Sequence, residues 1–277
     1  SSNGLNLGYY DNQGNIIFSH FTDENLSEDG NPALTIKGDV IAVSSVKVVE
    51  TAIGSQSQGT GISYSIDKGE SWSFIPQPTD KSHQSDPSYI NKWACPWDTF
   101  DSSSLYDDDF DCDMACMDCS GNSSSCMMYD YISWGVQDSI LNFSVTTDIQ
   151  NVSYGLAISG DYIYAASWAG SLRRFEYTSE SPEWEVVPLP MDSQEYLECN
   201  MIDQSIYQIN PVGNYVDNYN CGYEFDNHKV FSVYSVEDTL WVGTADGINK
   251  GIVNSESCID WEHFTSEESG FYDDWVI

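Results

Sequence analysis

The residue types in this chain that could do chemistry are concentrated in one acidic, cysteine-containing stretch. Asp107, Asp109, Asp111 and Asp113 alternate with other residues and would present carboxylate oxygens, which are the ligands that Ca²⁺ prefers. The spacing is not that of an EF-hand loop, because no glycine stands at the sixth position counted from Asp107 or Asp109. These carboxylates are candidate ligands for a Ca²⁺ site within residues 107–118, and the other interpretation is a solvated acidic loop tip.

The eight cysteines predict disulfides. The spacing Cys112-x3-Cys116-x2-Cys119 also occurs in iron–sulfur proteins, but here it lies in an acidic, Ser- and Asn-rich segment of a β-rich chain. We interpret the cysteines as disulfide partners in an oxidising compartment, with tetrathiolate zinc as the alternative. A pairing of Cys199 with Cys221 would leave Cys258 for a partner within residues 80–150. The candidates are Cys95, Cys112, Cys116, Cys119, Cys126, Cys199, Cys221 and Cys258.

The net charge and the composition limit which partners and which cellular compartment are expected for this chain. The 277 residues include 9 Lys and Arg against 44 Asp and Glu, a formal charge of −35, which disfavours nucleic acid and anionic membranes and attracts cations. A salt-adapted, solvated surface is the alternative reading of this charge. No run of 18 apolar residues occurs, so we expect no membrane insertion. The cysteine content favours a secreted or cell-surface protein. Glycosylation is predicted at four sequons, those of Asn25, Asn122, Asn142 and Asn151.

The strongest structural pattern is S-x-D-x-G-x-[ST]-W, the Asp-box pattern, over residues 65–72. The pattern begins at Ser65; Asp67 can accept hydrogen bonds from the amides of a tight hairpin turn, and Gly69 supplies its positive φ. Ser71 and Trp72 follow, and Trp72 opens the next strand by packing under the turn. This pattern predicts a structural hairpin turn and does not indicate any reaction.

Repeats indicate the elements around that hairpin. Three segments repeat an apolar strand, an acidic turn, a second strand, a third strand and an outer strand opened by tryptophan. The chain is therefore predicted to be all-β, a single segment of a β-propeller with four-stranded antiparallel blades and an incomplete ring. Two disulfide-rich insertions interrupt it at 80–150 and 191–228. The predicted blades are 31–79, 151–190 and 229–270, with half blades at 1–30 and 271–277; residues 272–277 are expected to form the first strand of another blade.

These repeats resemble a known family. The phrases at 239–248 and 167–174 look like the Asp-box and two-component-regulator-type propeller repeats of large secreted bacterial surface proteins of the type IX secretion kind. The resemblance covers roughly residues 15–277 without the insertions. Only the first blade has a full Asp box, so degenerate hairpins are expected near residues 178–184 and 254–261. The resemblance implies a secreted propeller and says little about its ligand.

The sequence indicates the function of this chain less clearly than its fold. A sialidase site needs three arginines, and this chain has only Arg173 and Arg174, which point to opposite faces of a strand. We expect a non-catalytic module for binding, adhesion or assembly whose partner is an extracellular glycan, a protein or another copy of the chain. One alternative is a polysaccharide-active enzyme of the Asp-box glycoside hydrolase type, and another is a structural module of a filament or sheath. Five aromatic residues of the first insertion could form a sugar-stacking platform on a propeller rim, but such residues more often supply the small core of an insertion: Trp93, Trp97, Tyr129, Tyr131 and Trp134.

Overall fold

The chain folds into antiparallel β-sheets. The computed structural model describes residues 4–21, 26, 30–51, 54–77, 130–134, 137–142, 151–168, 170–192, 194–199, 208–209, 226–254 and 258–277. Its strands are β1 (Leu5–Tyr10), β2 (Ile16–Phe21), β3 (Leu34–Lys37), β4 (Val40–Thr51), β5 (Gly54–Ser65), β6 (Ser73–Pro76), β7 (Asp130–Trp134), β8 (Gln137–Asn142), β9 (Ser153–Ser159), β10 (Tyr162–Ser167), β11 (Ser171–Glu176), β12 (Glu185–Val186), β13 (Tyr196–Leu197), β14 (Gln208–Ile209), β15 (Val230–Val236), β16 (Thr239–Thr244), β17 (Gly247–Val253) and β18 (Ile259–Phe264). A 3-10 turn covers Asp226–His228, and one short helix, α1, covers Ser266–Ser269.

Three sheets repeat one topology. Sheet 1 pairs β3-β4-β5-β6, sheet 2 pairs β9-β10-β11-β12, and sheet 3 pairs β15-β16-β17-β18, each in chain order and antiparallel. This confirms the prediction of an all-β chain with four-stranded antiparallel sheets. Sheet 3 gains a fifth strand, β13, on the free edge of β18. The short strands β7 and β8 pair separately, and β14 joins β8 in parallel.

The three sheets stack face to face, with sheet 2 in the middle, and its central strand β10 is apolar on both sides. In β10, Ile163 belongs to the core shared with sheet 1, whereas Tyr164 belongs to the core shared with sheet 3. Successive strand residues point to opposite faces, so a continuous apolar run supplies both cores. Gly155 allows the closest approach, since a Cβ there would lie 2.9 Å from the backbone nitrogen of Val233.

The N-terminal hairpin closes one end of this stack. Leu5 and Leu7 of β1 and Phe21 of β2 pack on a small core that contains Ile41 and Val43 of β4. Ala42, which is also in β4, packs in the core shared with sheet 2. The order of layers is therefore hairpin, sheet 1, sheet 2 and sheet 3.

The C-terminal segment differs from its prediction. The sequence predicts that residues 272–277 form the first strand of another blade, but the structure has no strand there. Instead the backbone of Asp274 accepts a hydrogen bond from the Gly247 amide, and the Val276 amide donates to the Thr244 carbonyl at 3.0 Å. The side chain of Asp274 also accepts hydrogen bonds from Ser266 at the start of α1. These bonds hold the segment across the end of sheet 3, so it does not pair along a strand.

Candidate functional site

The Asp67 turn is a closed network of hydrogen bonds. Asp67 Oδ1 accepts from the Ser71 amide at 2.8 Å, and its Oδ2 accepts from the Ser71 hydroxyl at 2.5 Å. Ser65 donates its hydroxyl to Asp67 and accepts from the Gly69 amide, both at 2.7 Å. The bonds from Ser71, and then that from Ser65, lower the pKa of Asp67 to about 2. Lys68 and Gly69 both adopt positive φ, at 61° and 91°.

The same turn holds the N-terminal hairpin on sheet 1. A Cβ on Gly69 would lie 2.8 Å from the Phe21 ring, so only glycine lets the ring approach this closely. The Phe21 ring also meets Trp72 edge-on, with centroids 5.3 Å apart. The carboxylate is thus fully engaged in the turn, and its role here is structural.

A different constellation lies where β9 and β15 begin, which we call the loop end. An asparagine stands two or three residues before each inner strand, at Asn31, Asn151 and Asn227. Asn151 is fully buried, and its Oδ1 accepts from the Gly59 amide of sheet 1 at 2.8 Å. The Asn151 side chain, a glycosylation candidate, is therefore not at the surface in this structure, where a glycan would need it.

The side chain of Asn227 forms hydrogen bonds with several segments of the loop end. Its amide donates to the Pro190 carbonyl at 2.8 Å and to Asn249 Oδ1 at 2.9 Å. Its Oδ1 accepts from Thr244 Oγ1 at 2.8 Å. The carboxylate of Asp192 accepts both the Asp226 and the Asn227 amides at 2.9 Å, although burial raises its pKa. Every polar group of this network that is described above has a partner, so the start of β15 is rigid.

His228 makes stability depend on pH. The ring is fully buried, and burial lowers its pKa to about 4 from 6.5. The unfolded chain takes up this proton more readily, so we expect the free energy of unfolding to fall as pH drops from about 6.5 to 4, by roughly 3 kcal/mol in total. Asp192, whose pKa is raised, opposes this trend, and Asp67 adds a loss only below about pH 4.

Urea denaturation between pH 7.5 and 4.5 measures this effect. His228→Gln is expected to be less stable at pH 7.5 but to lose less stability on acidification than the unchanged chain. Parallel pH profiles for the two proteins would show that His228 is not the group responsible.

Three aromatic rings meet at the loop end and form what we call the aromatic cluster: Trp168, Phe231 and Trp275. Trp168 lies 5.2 Å from Phe231 and 5.7 Å from Trp275, and Phe231 lies 5.5 Å from Trp275, centroid to centroid. The Lys229 ammonium lies 5.6 Å from the Trp168 centroid and pairs with Asp226. The lysine side chain is almost completely buried.

Separate elements position each ring. Trp168 follows β10, and Phe231 is the extra residue of a β-bulge in β15, where the register shifts between Val230 and Ser232. Bulges re-aim side chains, and this one turns Phe231 toward Trp168. Trp275 is held by the backbone bonds of its two neighbours. No local sequence pattern identifies these three rings as a cluster, although the regular position of an asparagine before each inner strand marks this end of the sheets.

The cysteine pairing differs from the prediction. The structure places Cys199 beside Cys258, with Cα atoms 5.8 Å apart, a spacing that suits a disulfide, whereas the sequence suggests Cys221 as the partner of Cys199. Asp260 also accepts the Cys199 amide at 2.9 Å. The physical reason is β13, whose pairing with β18 brings Cys199 beside the start of that strand.

The remaining predicted site residues lie outside the described residues or are described only in part. The Ca²⁺ candidates Asp107, Asp109, Asp111 and Asp113 fall outside, as do Asn25, Asn122, Cys95, Cys112, Cys116, Cys119, Cys126 and Cys221. Asn142 ends β8, and only its backbone is described. Among the described residues, no group of three or more His, Cys, Asp or Glu is arranged to hold a metal ion. In that same part of the chain, no helix has the length and apolar character needed to cross a membrane.

Comparison of the chain with protein-family models, curated proteins and solved structures finds no match.

Proposed function

We propose that this chain forms blades of an extracellular β-propeller of the Asp-box and two-component-regulator type and works at the cell surface as a non-catalytic binding module. Three four-stranded sheets that follow one another in the chain and stack face to face support a blade arrangement. The Asp67 turn supports the Asp-box assignment, since its bonds are those that the pattern requires. The disulfide between Cys199 and Cys258 supports an oxidising compartment.

The aromatic cluster is the observation that carries the binding role. Loops at the ends of rigid sheets are the usual place for contact surfaces. At the loop end, rings from sheet 2, sheet 3 and the C-terminal segment converge, and Trp275 stays 58% exposed. Exposed indole on a rigid base is characteristic of binding surfaces, because it offers a large contact area at a low entropic cost.

Binding and turnover can be measured in one experiment. The 277-residue chain would be incubated with soluble extracellular polysaccharides, and both its retention in affinity electrophoresis and the release of new reducing ends would be followed. Retention without new reducing ends is expected. Release of reducing ends would favour the alternative, a polysaccharide-active enzyme, and would overturn the proposal.

Assembly between copies is a second candidate, because the described residues leave one face of sheet 3 uncovered. Directly opposite residues on its strands place Tyr234, Trp241 and Tyr196 on the side away from sheet 2, and they are 66%, 39% and 62% exposed. The Lys250–Glu262 ion pair lies in the same row. Aromatic patches of this kind on a sheet face are typical of contacts between protein copies.

Sedimentation velocity at several concentrations tests this second candidate. A concentration-dependent dimer that Trp241→Glu converts to monomer would support a structural module, with a second copy as the occupant of the face. A monomer at all concentrations would exclude it.

A further inference from the structure

We propose that the outer face of Trp275 stacks on a pyranose ring of a neutral glycan; this inference rests on the proposed binding function and names its ligand class. Stacking places the apolar C–H face of a sugar against an indole and leaves the sugar hydroxyls free for polar contacts.

The shape of the cluster allows contact on one side only. Its three centroid separations are between 5.2 and 5.7 Å, and its interplanar angles are between 38° and 50°. Rings this close touch one another, so no ligand group fits between them. A cage for an alkylammonium group would require the cation to lie between the rings, near each face. The exposed side of Trp275 is therefore a platform for a flat ligand.

The platform is held in place before any ligand binds. The Asp274 carbonyl accepts the Gly247 amide, and the Val276 amide donates to Thr244, so the backbone is fixed on both sides of Trp275. Trp168 and Phe231 also pack against the indole, with their ring centroids 5.7 and 5.5 Å from that of Trp275. Because this ring is already ordered in the free protein, a ligand that binds to it causes little loss of conformational entropy, which favours binding.

Charge around the platform selects a neutral ligand. Asp273 is exposed, and its Oδ1 accepts the Trp275 amide at 3.3 Å. Asp226, which pairs with Lys229 beside Trp168, is 43% exposed in its side chain. Carboxylates accept hydrogen bonds from sugar hydroxyls, but they repel uronates and sulfate esters. The Lys229 ammonium beside the cluster is buried and paired with Asp226. The formal charge of −35 adds a long-range repulsion of acidic polysaccharides.

Two probe sets test the inference on the 277-residue chain. The neutral set is a β-1,3-glucan, xyloglucan and galactan; the acidic set is alginate and chondroitin sulfate. Retention in affinity electrophoresis and isothermal titration calorimetry would be measured for the unchanged chain, Trp275→Ala, Trp275→Phe and the control Tyr10→Ala, a 74% exposed aromatic on the N-terminal hairpin. We expect at least one neutral glycan to bind, with about a tenfold loss for Trp275→Ala and a smaller loss for Trp275→Phe. The Tyr10→Ala control should bind as the unchanged chain does.

The outcomes separate this inference from the function on which it rests. Glycan binding that survives Trp275→Ala, or a preference for the acidic set, would overturn the inference and leave a binding module in place. Absence of binding to every neutral probe would overturn it too. Cleavage of a probe would overturn the proposed function instead. Unchanged thermal midpoints for the variants would show that the loss of binding is not a loss of folding, as expected for a ring that is more than half exposed.

Discussion

Replacing Phe175 with alanine is expected to lower the free energy of unfolding by about 3–5 kcal/mol. The ring is fully buried in the core between sheets 1 and 2. It packs on Trp184 at 4.9 Å and on Tyr64 of sheet 1 at 5.3 Å, centroid to centroid. Truncation would remove these contacts and leave a cavity that two stiff sheets cannot close. Equilibrium denaturation in urea gives the change directly.

Phe18→Ala is the matched control for that prediction. Phe18 lies on the N-terminal hairpin and is 65% exposed, so its removal should change stability by no more than about 1 kcal/mol. Similar losses for the two variants would contradict the stacking of sheets 1 and 2 described above, because that packing is what makes Phe175 costly to remove.

Loss of the disulfide between Cys199 and Cys258 is expected to cost about 4 kcal/mol, the loop-closure figure for a separation of 59 residues. The bond closes the path from β13 to β18 and keeps the fifth strand on sheet 3. Both cysteines are buried, so the double variant Cys199→Ala, Cys258→Ala tests the bond with little change in polarity. Chemical denaturation of the oxidised protein and of the double variant measures the difference.

Cys221→Ala decides between the two pairings. If Cys199 pairs with Cys258, this variant keeps the Cys199–Cys258 peptide in a non-reducing digest and keeps the stability contribution of that bond. If the digest loses a Cys199 crosslink in Cys221→Ala, the pairing expected from the sequence is the right one.

The hairpin at Asp67 and the strand pattern could be predicted because they depend on short-range chemistry. A serine, an aspartate, a glycine and a second serine at fixed offsets satisfy a turn by themselves, whatever packs around it. Likewise, an apolar run such as 162–167 becomes a strand with two buried faces wherever sheets are available on both sides.

The sequence does not identify Cys258 as the neighbour of Cys199, because separation along the chain ranks cysteine pairings poorly. Closing the longer loop to Cys258 costs less than about 1 kcal/mol more than closing the shorter one to Cys221. A two-residue strand pairing, Tyr196 with Glu262 and Leu197 with Trp261, outweighs that difference by bringing Cys199 to β18. No local sequence pattern predicts a strand of only two residues.

The sequence by itself determined an acidic, all-β chain built of repeated four-stranded antiparallel sheets, since period-two patterns and turn residues act over a few positions. Tertiary structure alone decided which residues form the candidate site. Trp168, Phe231 and Trp275 come from separate segments and meet because one bulge turns Phe231 and two backbone bonds anchor the C-terminal segment. Contacts of that range depend on how whole sheets stack, and no spacing of residue types encodes them.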